Sequence, residues 1–190
     1  MKKMMNIPGI PAALIFAIAL PLTALAEPKT VSDEYGTLNP VDTGFGKAMS
    51  NIENGIADMT TCAAGYHITK AGRHFDARRL FETCANAGYT GAMTWMSQLE
   101  NNGLGGEYDP DAAAEWDRRA AEMGDPVGKF NYGLDLMRGH GVARDVKLGR
   151  SYVDEAAIDG LAIAKRLQAA DYNLDEVTPD ADNWKYGLMF

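Results

Sequence analysis

The side chains from which this 190-residue chain could build nucleophilic, redox or metal chemistry are few: two cysteines, three histidines and four serines. None of Ser32, Ser50, Ser97 and Ser151 opens a Ser-x-x-Lys or sits in a Gly-x-Ser-x-Gly, so serine acyl-enzyme chemistry has no visible nucleophile. His67 and His74 stand seven residues apart across a helix break expected at Gly72, and His140 lies far along the chain in a glycine loop. Metal ligands on one helix want spacings of three or four, so these read as solvated or capping histidines. Cys62 and Cys84 lack Cys-x-x-Cys spacing, which disfavours redox chemistry. In an oxidising compartment a disulfide closing about 22 residues is their default fate, with two unpaired buried thiols as the alternative.

Glycine and carboxylate patterns are equally plain. Gly103-Leu-Gly105 and Gly139-His-Gly141 follow helical stretches, with no strand before them and no Gly-Lys-Ser/Thr after them, so they are turns and not phosphate cradles. The pairs Asp109/Asp111 and Asp180/Asp182 fall at a helix start and in the tail, where carboxylates cap amide donors or stay solvated. Met93, Trp95 and Met96 read as core packing. No cofactor and no catalytic residue is expected, and the chain reads as a protein other than an enzyme.

The elements that hold these residues begin with a leader. Lys2 and Lys3 precede an apolar run from Ala12 to Leu20, and Pro21 leads into Thr23-Ala24-Leu25-Ala26, the order of a secretory signal peptide cleaved after Ala26. The run is short for a membrane anchor, and no cysteine at the cleavage point invites a lipid. An exported chain, periplasmic or secreted, with no stable membrane insertion after cleavage is expected. The leader holds two of the 18 Lys+Arg and none of the 26 Asp+Glu, so the remainder is more acidic than the net −8 of the whole. Nucleic acid and anionic lipid would be repelled. Residues 27–43 read as a flexible segment, and from Lys47 the residues Met49, Ile52, Ile56 and Met59 predict one helical face.

From there the chain repeats itself. Gly88, Gly124 and Gly160 recur every 36 residues, as do the bulky set Leu80, Trp116 and Tyr152, the small set Cys84, Ala120 and Ala156, and the set Ala92, Gly128 and Ala164. Asp109 recurs as Asp145, and the two Gly-x-Gly pairs keep the same step. No segment alternates polar and apolar residues for long, so the fold class is all-α. The expected architecture is an α/α superhelical solenoid of about three helix-pair repeats over residues 44–173. Each pair ends at a glycine of the first set, stacking makes a continuous core, and terminal segments act as caps.

At this level the sequence resembles the Sel-one-like repeats of the tetratricopeptide superfamily. The resemblance is carried by Gly133, Gly139, Gly141, Val142, Asp145 and Lys147, then Tyr152, Ala156, Ala157 and Gly160. Gly103, Gly105, Asp109, Ala112, Trp116, Ala120, Ala121 and Gly124 carry it one unit earlier, with Ser97 where a helix glycine is expected. A looser first unit has Gly65, Ala77, Phe81 and Cys84 and a shortened connection. The resemblance implies an adaptor that binds a protein or peptide partner in the cell envelope, or, if released, a host or neighbouring-cell protein. A cysteine-rich subset of the family is linked to penicillin binding and β-lactam hydrolysis. This chain has Ala92 where that subset has the partner of Cys84, which leaves hydrolysis of cell-wall or β-lactam amides as the secondary reading.

Such arrays bind along the face formed by the first helix of each unit. The positions expected to point outward there are Tyr66 and Lys70, then Thr94, Gln98 and Asn102, then Leu134 and Arg138, a mixture suited to an extended peptide. The tail 174–190 ends with Trp184, Tyr186, Leu188, Met189 and Phe190, too apolar for a solvated end, and is expected to cap the last helix pair or to dock a partner.

Overall fold

The structure, a computed structural model, describes residues 44–177; the leader with its cleavage point, the segment 27–43 and the tail residues 178–190 lie outside the described residues. Within them the chain forms eight α-helices and one short 3-10 turn, and no strand is found among the described residues. Helix α1 (Gly44–Glu53) is followed by α2 (Met59–Lys70) and α3 (His74–Asn86). Next come α4 (Thr90–Asn101) with α5 (Pro110–Glu122), and α6 (Pro126–Arg138) with α7 (Val146–Ile158). Helix α8 (Ala162–Ala169) and the 3-10 turn Leu174–Glu176 follow. Three antiparallel pairs, α2/α3, α4/α5 and α6/α7, are therefore flanked by single helices.

Local chemistry explains the boundaries. Asp58, Asp109, Asp125 and Asp145 each accept a hydrogen bond from backbone N–H groups in the first turn of α2, α5, α6 and α7. Pro110 and Pro126 occupy first helical positions, where a missing N–H costs nothing. At the other end the 36-residue glycines share one device. Gly88, Gly124 and Gly160 have φ of +94, +86 and +101°, and the amides on either side of each turn back to the last helical carbonyls. The helix expected to run from Lys47 through Met59 is instead broken, because Gly55 takes φ +72° and Asp58 starts a new helix. Ile56 and Met59 consequently lie exposed.

The second glycine of each Gly-x-Gly pair serves stacking. A Cβ on Gly105 would sit 2.5 Å from the carbonyl carbon of His74, and one on Gly141 would sit 1.9 Å from the carbonyl oxygen of Pro110. Each loop thus crosses the first residue of the second helix in the preceding unit with no room for a side chain. Within units, Cys84, Ala120 and Ala156 are fully buried, and Gly128 presses on Ala120. Cys62 and Cys84 form a disulfide that ties α2 to α3, which decides between the paired and unpaired readings. The first unit's connection, residues 71–73, is indeed shorter than the corresponding 102–109 and 139–145.

Stacking of the units predicts one continuous core. The core is not continuous: its apolar side chains fall into a large cluster over α1–α5, a second over α6–α8 reaching Val177, and a small third one around Ala121, Tyr132 and Leu136. The break falls in the second and third units, where buried Asp117 of α5 and Asp135 of α6 stand among the apolar side chains. The carboxyl groups at those positions deny the two clusters a common apolar surface.

Candidate functional site: a chain of clefts on the first-helix face

Helices α2, α4 and α6 line one side of the array, and three clefts follow one another along it. The largest, about 660 Å³, is bounded by Thr69 and Lys70 of α2, Thr94, Trp95 and Gln98 of α4, and Val127 and Asn131 of α6. A second, about 430 Å³, shares Gln98 and Asn131 with it and continues to Leu134, Asp135 and Arg138. The third, about 340 Å³, shares Thr94 and Trp95 and is walled by aromatic rings around the Cys62 end of the disulfide. There Trp95 stacks on Phe81 with ring centroids 5.5 Å apart, and Tyr66 meets Trp95 edge-on at 5.8 Å.

The predicted contact row can now be placed. Lys70, Thr94 and Gln98 line the largest cleft, Gln98, Asn102, Leu134 and Arg138 the second, and Tyr66 and Thr94 the third. Six of the seven residues are thus brought to open positions on one face; the exception is Leu134. Expected to point outward, it is only 7% exposed and packs in the α6–α8 cluster, so it forms cleft floor. Leu134 is buried because it packs with side chains of α7, α8 and Val177 in that cluster.

The second cleft contains groups that the sequence reading passed over. Asp117, 2% exposed, accepts from the Ser97 hydroxyl and, at 3.1 Å, from the Asn131 amide. Burial pushes its carboxyl up to about 7 against the pull of those two hydrogen bonds. Asp135 is 6% exposed, its Oδ2 has no hydrogen-bond partner, and burial followed by the nearby Asp117 raises it to about 8. Arg138, three residues on at the rim, is lowered by partial enclosure and only partly restored by Asp135. His140 closes the rim through a 2.8 Å contact between Nε2 and Asn101 Oδ1. Two acids whose protonation is displaced by burial thus share one cleft. Among the described residues no three His, Cys, Asp or Glu side chains gather to hold a metal ion.

With the fold and the clefts in view, solved structures provide the comparison. A Sel1 repeat protein from Oxalobacter formigenes superposes with a TM-score of 0.58 at 16% identity over 75% of this chain, which spans 60% of that protein's length. This chain has the Sel-one-like repeat fold. Cysteine-rich protein B of Helicobacter pylori matches 67% of the chain and 98% of its own length at 15% identity, with a TM-score of 0.54. A protective antigen present in uropathogenic Escherichia coli strains, displaying the same repeat fold, gives 0.50 at 18% identity over 74% of this chain and 33% of its own. No protein-family model matches the sequence, and none of the curated proteins does. In this repeat array the acids of the second cleft stand out against their own equivalents. One 36-residue step on either side of Asp117 are Phe81 and Val153, both apolar and buried, and one step before Asp135 is Leu99, fully buried.

Proposed function

We propose that the protein is an exported, non-catalytic interaction scaffold that holds a peptide or a loop of a protein partner along the α2–α4–α6 face. The observation that carries this reading is the uninterrupted run of three clefts, each sharing residues with the next, on the single face made by the first helices. An extended segment lying there would meet aromatic rings near Tyr66, hydroxyl and amide groups at Thr94 and Gln98, and the acidic second cleft, so alternate side chains could be read separately. Export is supported by the Cys62–Cys84 disulfide, which oxidising compartments sustain, and by the leader-like order of residues 1–26. No helix among the described residues is long and apolar enough to cross a membrane.

Photo-crosslinking tests the reading directly. A crosslinking amino acid placed at Gln98 or Asn102 in expressing cells should capture one discrete envelope partner, whereas the same group at exposed Glu82 or Lys147 on the opposite helices should not. Equal capture from both faces would sink the groove assignment. Turnover of a β-lactam or peptidoglycan amide by the purified protein, abolished by Asp135→Asn, would replace the scaffold with the hydrolase reading.

A further inference from the structure

The second cleft has features that a general peptide groove does not need. Three of its polar groups, Asn101, Asp117 and Asp135, occupy places that a neighbouring unit fills with buried apolar side chains. Ser97 stands at the position of Gly133, Asn101 at that of Met137, Asn131 at that of Trp95, Asp117 at that of Phe81 and Val153, and Asp135 at that of Leu99. Buried Phe81, Val153 and Leu99 show that other units pack apolar side chains at the places of Asp117 and Asp135. Buried carboxylic groups without full pairing cost stability, and such exceptions concentrate where a protein binds or reacts.

The unmet valences say what would fit. Asp117 already receives two donors, from Ser97 and Asn131. Asp135 Oδ2 is buried in the lining of the cleft without any. Ser97, Asn101 and Asn131 line the same cleft with oxygen atoms, of which Asn101 Oδ1 already meets His140 Nε2, and Val177 and Phe130 supply apolar wall for a hydrocarbon stem. Arg138 does not complete the site, because Asp135 Oδ2 remains unpartnered with the guanidinium one turn away on the exposed rim.

We propose that this cleft receives the cationic side chain of a partner segment, a lysine ammonium or an arginine guanidinium, with Asp135 as its principal acceptor and Asp117 as the second. The inference rests on the scaffold reading and deepens it by naming the chemistry of one partner residue. A cation held here favours both carboxylates in their ionised form, so its binding releases protons and strengthens with pH. The titratable and charged groups around the pair are Arg138 on α6, His140 in the following loop and Asp125 before α6, while α4 lines the cleft with neutral Ser97, Asn101, Gln98 and Asn102.

Calorimetric titration of the protein, as isolated from cells that express it, uses three acetylated tripeptide amides as probes: Ala-Lys-Ala, Ala-Arg-Ala and the neutral Ala-Gln-Ala. The two cationic probes should saturate one site, the glutamine probe should not, and affinity should rise at least tenfold from pH 6 to pH 8.5. Asp135→Asn should weaken the cationic probes at least tenfold. Asp135→Leu, which installs the residue of the preceding unit, should abolish binding with an equal or higher melting midpoint, separating lost recognition from lost folding. Should that variant not fold, the near-isosteric Asp135→Asn decides alone. Absence of saturable binding by either cationic probe, or unchanged affinity in Asp135→Asn, overturns the proposal. Discrete capture at Gln98 without cation binding would sink this inference and leave the scaffold standing; cation binding without capture would do the reverse.

Discussion

Asp117 and Asp135 show how two residues can set the pH response of a whole chain. Both carboxyls have pKa values raised from about 3.8 in the unfolded chain, to about 7 and about 8 in the folded one. Between those limits the folded state keeps protons that the unfolded state has released. Stability is therefore greatest at the acidic end of the window and falls as pH rises from about 4 to about 8. We expect Asp117→Asn/Asp135→Asn to flatten that slope. The wild type should lose on the order of a few kcal/mol relative to the variant across the window, measured by urea unfolding at pH 4.5, 6 and 8. Asp58 acts with the opposite sign: the Thr61 amide holds its carboxyl below the usual range, so its contribution fades only below about pH 4. Of these residues, the cap function of Asp109 and Asp145 was readable from their place before a helix. The 36-residue step that aligns Trp116 with Leu80 and Tyr152 also aligns Asp117 with Phe81 and Val153, so the exchange of an apolar for an acidic residue is legible in the sequence, whereas its burial depends on how α4, α5 and α6 pack.

At the scale of elements, the first pair differs from the other two. Its connection is a single short turn, so no glycine loop crosses back over a preceding unit, and α1 covers it instead. The Cys62–Cys84 bridge and the Arg78–Glu100 ion pair, which reaches from α3 to α4, supply linkage there. Replacing the cysteines with Cys62→Ala/Cys84→Ala should lower unfolding stability by roughly 3 kcal/mol, as expected for opening a loop of this length. Amide hydrogen exchange should show the loss first in α2 and α3, with α6 and α7 little changed, because each unit contacts mainly its neighbours. Uniform loss along the chain would mean that the pairs unfold as one body. The helix boundary between Glu53 and Met59 escaped the sequence reading for a physical reason. Met49, Ile52, Ile56 and Met59 keep helical spacing, but periodicity carries no information on whether Gly55 takes a left-handed conformation and turns the chain.

For the molecule as a whole, the division of the core implies uneven cooperativity. Leu167 of α8 is fully buried and belongs to the α6–α8 cluster, separate from the cluster over α1–α5. Leu167→Ala should cost about 3 kcal/mol through lost burial and the cavity left behind. Hydrogen exchange in that variant should quicken across α6–α8 while the disulfide-linked pair keeps its protection. Equal acceleration in both regions would show that the acidic seam does not separate them.

The sequence alone determined the helical class, the 36-residue unit, the short first connection and most residues of the first-helix face, since each depends on spacing along the chain and on the local demands of caps and glycine turns. Only the tertiary structure decided the Cys62–Cys84 pairing, the burial of Leu134, the break in the core and the meeting of Ser97, Asp117, Asn131 and Asp135 in one cleft. Those residues come from three helices. Which side chains share a cavity, and which carboxyl loses its water there, depends on how α4, α5 and α6 pack together, a relation that no local pattern in the chain encodes.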